Sequence, residues 1–221
     1  MPQQTNQTRW QHKSLALLAA GLIVSGVLLL LLSGFREEIT QPWLSTLDQR
    51  AMSAVHAWTS AGLTRVMLFC TFVGSWQFIS PAVVLLIVLL LFRRVQRDAA
   101  VLALSVGGSA ALNVGLKLIF HRTRPDVPWA LTHEHSFSFP SGHAVAAFCF
   151  YTTMAYLLAQ GRRCATRAIL SIVALGIIFA IGLSRVYLGV HYPSDVAAGY
   201  LVGALWVSSV ILALHYLERR I

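Results

Sequence analysis

Six ionisable side chains stand at three separate places where the surrounding sequence is apolar. Lys117 precedes Arg124-Pro125. Pro140-Ser141-Gly142-His143 opens one apolar run, and Ser184-Arg185 closes another, with His191 and Asp195 just beyond it. Lys117, Arg124 and Arg185 offer a point charge and two planar forks, which suit phosphate oxygens. Pro140 fits the first turn of a helix, where its missing N–H costs nothing, and Gly142 admits a close backbone approach. The amides of Ser141, Gly142 and His143 then project from a helix N-terminus, a site for anions. His191 and Asp195 are four residues apart around Pro193. Asp195 therefore reaches back to one imidazole nitrogen, fixes the tautomer and favours the charge that builds as the ring attacks. His143 is left to protonate a leaving oxygen. Asp195 is the one acid of the cluster, so no carboxylate cage for Mg²⁺ is expected. These residues read as phosphoryl transfer through a phospho-histidine, with no metal and no cofactor.

Membrane spans are the elements that bring such distant groups together. Of the 221 residues, 57% are hydrophobic and 11% charged, against about 25% charged in soluble domains. Hydrophobicity this high excludes disorder, and three scattered cysteines exclude a disulfide scaffold. The expected fold class is all-α: a polytopic membrane protein, a six-transmembrane-helix bundle with an outer-face interfacial helical segment. The spans are read as Leu15–Leu32, Gln77–Phe92, Ala99–Phe120, Ser141–Ala159, Ala168–Leu188 and Ser194–Tyr216, each near the length a bilayer requires. The first lacks a clear small-x-small cleavage site and is read as uncleaved. No repeat or linker divides the chain, so residues 1–221 are read as a single integral membrane domain.

The net charge of +9 reports topology rather than nucleic acid. Six spans put Arg9, Lys13, Arg93, Arg94, Arg97, Arg162, Arg163, Arg167, Arg219 and Arg220 on one side, which the positive-inside rule makes cytoplasmic, with both termini. The six candidate side chains then share the outer face. Between the first two spans, Leu44, Leu47, Ala51, Val55 and Trp58 form a helical stripe from which Asp48 and Arg50 fall away, as in a helix lying on the interface. Leu63–Val73 is too short to span and is read as interfacial or re-entrant.

Other residues have plainer readings. Arg124 or Arg185 alone could snorkel to headgroups. His133-Glu134-His135 reads as an exposed polar loop, with a substrate-gating role left open. His121 and Arg122 either touch a second phosphate or face headgroups. Gly199 and Gly203 read as close helix packing, and Trp43, Trp58, Trp76 and Trp129 as an interfacial belt. Cys70, Cys149 and Cys164 read as packing residues.

Three segments together resemble the signature of the type 2 phosphatidic acid phosphatase superfamily: Lys117-x6-Arg124-Pro125, Pro140-Ser141-Gly142-His143 and Ser184-Arg185-x5-His191-x3-Asp195. The match runs from about residue 99 to 203. The resemblance implies a lipid phosphatase in a bacterial cytoplasmic membrane, similar to phosphatidylglycerophosphatases and undecaprenyl pyrophosphate phosphatases. It implies His191 as nucleophile paired with Asp195, and His143 as general acid. Lys117, Arg124 and Arg185 would be phosphate ligands, with Ser141 and Gly142 completing the pocket. The implied partners are a lipid phosphate and the membrane; oligomeric state is left open. Competing readings are an anion-binding or transport protein, whose sites tend to lie at the bilayer midplane between repeats, a binding protein that has lost catalysis, and a vanadate-dependent oxidase.

Overall fold

The computed structural model describes residues 41–132, 134 and 136–219, and among them the chain forms helices and no strand. In order these are α1 Pro42–His56, α2 Ala61–Val73, α3 Trp76–Phe92, α4 Gln96–Phe120, α5 Gly142–Ala159, α6 Cys164–Tyr187 and α7 Pro193–Arg219. The expected first span, Leu15–Leu32, lies outside the described residues.

Helices α4 to α7 are each long and apolar enough to cross a membrane. The stretch read as a span over Gln77–Phe92 is 17 residues of α3, and it reaches that standard only together with α2, from which it bends by 43°. The break falls at Gly74 and Ser75, where a Cβ on Gly74 would run into the Ile181 side chain. So Leu63–Val73 is helical, and it passes across the end of α6 from Tyr187 to Ile181. The described residues thus give four crossings, or five with the bent pair.

The main core lies between α4, α5 and α7, around Leu112, Leu116, Val145, Cys149, Val202 and Trp206. Two features bring these helices close. Gly199 and Gly203 sit against α5, where a Cβ would come within 2.8 Å of Ala144 and 2.7 Å of Phe148; the glycine pair therefore packs inside the monomer. Trp206 lies on Gly108 and donates its indole N–H to the carbonyls of Leu104 and Ser105 at 3.1 and 3.0 Å, so its one polar atom is satisfied. Leu85, Leu89 and Phe92 of α3 and Ile169, Ile172 and Phe179 of α6 face outward. A water-soluble bundle would hide such surface; a lipid-facing one presents it.

The ends of the bundle differ. At one, Arg93 and Arg94 stand in the turn between α3 and α4 with Arg97 in the first turn of α4, and Arg162 and Arg163 stand between α5 and α6 with Arg167 in the first turn of α6. Arg97 joins them through Tyr156 and Gln160. The other end gathers the C-termini of α4 and α6, the N-termini of α5 and α7, and α1. Helix α4 stops at His121, whose φ of 48° is left-handed. The chain leaves α6 through Gly189, with φ of 76° and Ala130 Cα 3.1 Å from where a Cβ would sit. A side chain there would be strained and crowded, so this turn is what delivers His191.

Candidate active site

His191 and Asp195 are 1% and 0% exposed, held by the α6–α7 turn and the first turn of α7. The Nδ1 of His191 lies 3.4 Å from Asp195 Oδ2. The Nη1 of Arg124 lies 3.0 Å from Nε2. A guanidinium can only donate, so Nε2 accepts, and Nδ1 carries the proton it shares with Asp195. Burial, opposed by the Asp195 hydrogen bond and charge, pushes the His191 pKa down to about 4. The ring is therefore neutral at physiological pH, with its lone pair on Nε2, the form a nucleophile needs. Ser138, fully buried, donates to Asp195 Oδ2, and its Oγ is 3.3 Å from Nδ1. The Tyr192 amide donates to the same carboxylate oxygen at 3.0 Å.

The other oxygen of Asp195 belongs to Arg122, whose Nη1 is 2.6 Å from Oδ1, while Nη2 is 2.8 Å from Asp48 of α1. Arg122 therefore neither meets headgroups nor joins the phosphate ligands. Leaving a buried carboxylate without its partner costs about 3–5 kcal/mol. An exposed headgroup pair returns at most about 1 kcal/mol. Inward pairing wins. Asp48 is 3% exposed, although it falls off the apolar stripe of α1. Of the stripe, Leu47, Ala51 and Trp58 are exposed, whereas Leu44 is half-buried and Val55 packs against the buried residues around Met52 and Tyr187.

The remaining cations converge beside Nε2. Arg124 donates to the Val190 carbonyl at 2.8 Å and to the Ser136 carbonyl and hydroxyl at 2.7 and 3.0 Å. Lys117 donates to Ser136 Oγ at 3.1 Å and to the Phe137 carbonyl. Arg185 donates to Thr71 of α2 at 2.6 Å. Between the two arginines lies Glu134, 2.7 Å from Arg124 Nη2 and paired with Arg185 Nη2. Burial alone would raise the Glu134 pKa, but Arg185 and then Arg124 outweigh it and hold the carboxyl below its ordinary value. An ionised carboxylate bridging two guanidinium forks has the shape and charge of a phosphate edge.

His143 lines a cavity of about 410 Å³ with Lys117, Glu134, Ser136, Asn113 and Gly142, continued by Ile79, Val106 and Val114 between α3, α4 and α5. It is polar at the cations and apolar along the helices. Pro140 precedes the cap of α5 instead of opening its first turn: Ser141 is the N-cap, with extended backbone. Its amide donates to the Asp195 carbonyl at 3.0 Å and is not free for an anion. That bond ties the two motif helices together. The Ser141 hydroxyl is buried without a hydrogen-bond partner.

Every candidate residue, from Lys117 through Asp195, thus lies at one end of the bundle. Sequence reasoning missed Asp48, Thr71, Ser136 and Ser138, and gave Glu134 only an open gating role. Ser138 had a signal, two residues ahead of Pro140. Asp48 and Thr71 are set by helix docking alone. Trp129, expected in an interfacial belt, stacks on His56 of α1 at 4.5 Å.

The PAP2 superfamily model matches residues 98–219. Phosphatidylglycerophosphatase B of Bacillus subtilis is 38% identical over 145 residues, 65% of this chain and 71% of that one. Undecaprenyl-diphosphatase of Sulfolobus acidocaldarius is 31% identical over 155 residues, 67% and 68% of the two chains. The crystal structure of a transmembrane PAP2 type phosphatidylglycerolphosphate phosphatase from Bacillus subtilis superposes with a TM-score of 0.73 at 30% identity, covering 94% of this chain and 97% of that one.

Proposed function

The chain belongs to the PAP2 superfamily, and from that premise we propose that it is a membrane phosphatase that removes the terminal phosphate of a lipid phosphate or diphosphate through a phospho-histidine at His191. One observation carries this reading: a buried His191, oriented by Asp195 at Nδ1, points Nε2 at Arg124, which is joined to Arg185 through Glu134 and to Lys117 through Ser136. The relatives named above support phosphatidylglycerophosphate and undecaprenyl diphosphate as candidate substrates, and phosphatidic acid is a third that presents the same terminal phosphate.

In the mechanism, the lipid phosphate replaces Glu134 between Arg124 and Arg185, and its chain follows the apolar part of the cavity. Arg124 moves from Nε2 onto a phosphoryl oxygen. Nε2 then attacks phosphorus in line, and the bond to the leaving oxygen breaks. Lys117, both arginines and the free amides of Gly142 and His143 stabilise the charge on the phosphoryl oxygens, the main source of rate in such transfers. Asp195 stabilises the charge on the imidazole. His143 protonates the leaving lipid oxygen, then takes a proton from the water that hydrolyses phospho-His191. No step draws on a metal.

The basic turns at the opposite end of the bundle support a site at the outer face of a bacterial cytoplasmic membrane, with both termini inside. The test is phosphate release by detergent-purified protein, with EDTA present, on those three lipids and a soluble sugar phosphate. Release confined to lipids, and lower by at least about a thousandfold in His191→Ala, is expected. Equal release by the variant would rule the mechanism out. A folded protein that releases none would favour anion binding or transport.

A further inference from the structure

We propose that Asp48, on α1, is a positioning residue for the reaction, acting through Arg122 on Asp195. Helix α1 lies outside the residues 98–219 that the family model matches, so the inference rests on contacts alone. It deepens the phosphatase reading above.

Arg122 is a bridge. One nitrogen serves Asp195 Oδ1 at 2.6 Å and Ser194 Oγ at 2.8 Å, and the other serves Asp48 Oδ2 at 2.8 Å. Its guanidinium carbon stands 4.3 Å from the centre of the Tyr192 ring. Asp48 in turn accepts the Ser194 amide at 2.9 Å and the Ser194 hydroxyl at 2.5 Å. A carboxylate from α1 thus caps the first turn of α7, the turn that carries Asp195. Asp48 and Asp195 are 3% and 0% exposed, and Arg122 is the one arginine or lysine paired with Asp195 among the described residues.

Two consequences follow for His191. First, Asp195 is aimed: with Oδ1 held by Arg122, Oδ2 is left for Nδ1 and its other donors. Second, the charges balance. Asp48, Arg122 and Asp195 carry one net negative charge, matching the positive charge that builds on the imidazole as Nε2 attacks. Without Asp48, Arg122 would neutralise Asp195 one to one, and the ring would lose that compensation. Asp48 touches neither Lys117, Arg124 nor Arg185, so the phosphate seat is spared.

The experiment compares wild type with Asp48→Asn, which keeps the shape and removes the charge. The expected result is a kcat lower by about 10- to 100-fold, with KM and the inhibition constant of inorganic phosphate within about twofold. A folded variant with wild-type kcat overturns the proposal. So does a KM that rises in step with the fall in kcat. Should Asp48→Asn fail to fold, Arg122→Lys takes its place, since one ammonium cannot bridge both carboxylates; the same split is expected. Ring ¹⁵N spectra of histidine-labelled protein, with His191 assigned by its loss in His191→Asn, need no turnover. Wild type should hold the Nδ1–H form and Asp48→Asn a mixture of tautomers. Identical spectra overturn the proposal even in a protein that releases no phosphate, while absent phosphate release with differing spectra overturns only the phosphatase reading.

Discussion

Both ends of the bundle are rich in arginine, and they use it in opposite ways. Arg93, Arg94, Arg162, Arg163 and Arg167 are exposed, as befits charges that mark a membrane side. At the other end Arg122, Arg124 and Arg185 keep 10%, 12% and 3% of their side chains exposed, and each holds specific oxygens. In the function proposed above, the same residue type serves topology in one place and chemistry in the other. Burial with partners, not charge, separates the two.

The largest expected effect in this comparison comes from Arg185→Lys. It keeps the charge but loses the fork that reaches Thr71 and Glu134 together, and kcat/KM should fall by about a hundredfold. A loss under threefold would reduce this arginine to the kind found at the other end. Glu134→Gln comes next and has the opposite sign. Removing the anion between Arg124 and Arg185 should lower KM, and tighten inhibition by inorganic phosphate, by about fivefold. A rise in KM would mean that Glu134 holds the arginines open for substrate instead of competing with it. The smallest effect belongs to Arg162→Gln with Arg163→Gln: steady-state constants within about twofold of wild type in detergent. A tenfold loss there would collapse the distinction between the ends.

The convergence of the signature motifs was legible because residue type and spacing point to a shared site. His191 and Asp195 do meet, and Lys117, Arg124 and Arg185 do share one end with His143. The four helices α4 to α7 were legible from length and apolarity. What stayed hidden depends on docking. Hydrophobic periodicity ranks the faces of a helix, but in a membrane protein the apolar face is free to look outward while polar groups line the interior. The stripe of Leu47 on α1 and Trp58 just beyond it was visible for that reason, and the burial of Asp48 on the other face was not. Arg122 was ambiguous because its two carboxylate partners come from positions 48 and 195, far from it in sequence. The Ser141 amide, expected to bind an anion, is taken by the Asp195 carbonyl, a contact that exists only once α5 meets α7.

The central claim is that His191 becomes phosphorylated. Its most direct test is a rapid alkaline quench during turnover of a lipid diphosphate labelled in its terminal phosphate, using His143→Ala to slow the water step. A leaving group of this kind needs little protonation, so the first transfer should survive that substitution. The account predicts label on the peptide that contains His191, and none in the His191→Ala, His143→Ala double variant. Label on another residue, or turnover in the double variant equal to that of His143→Ala, would contradict it.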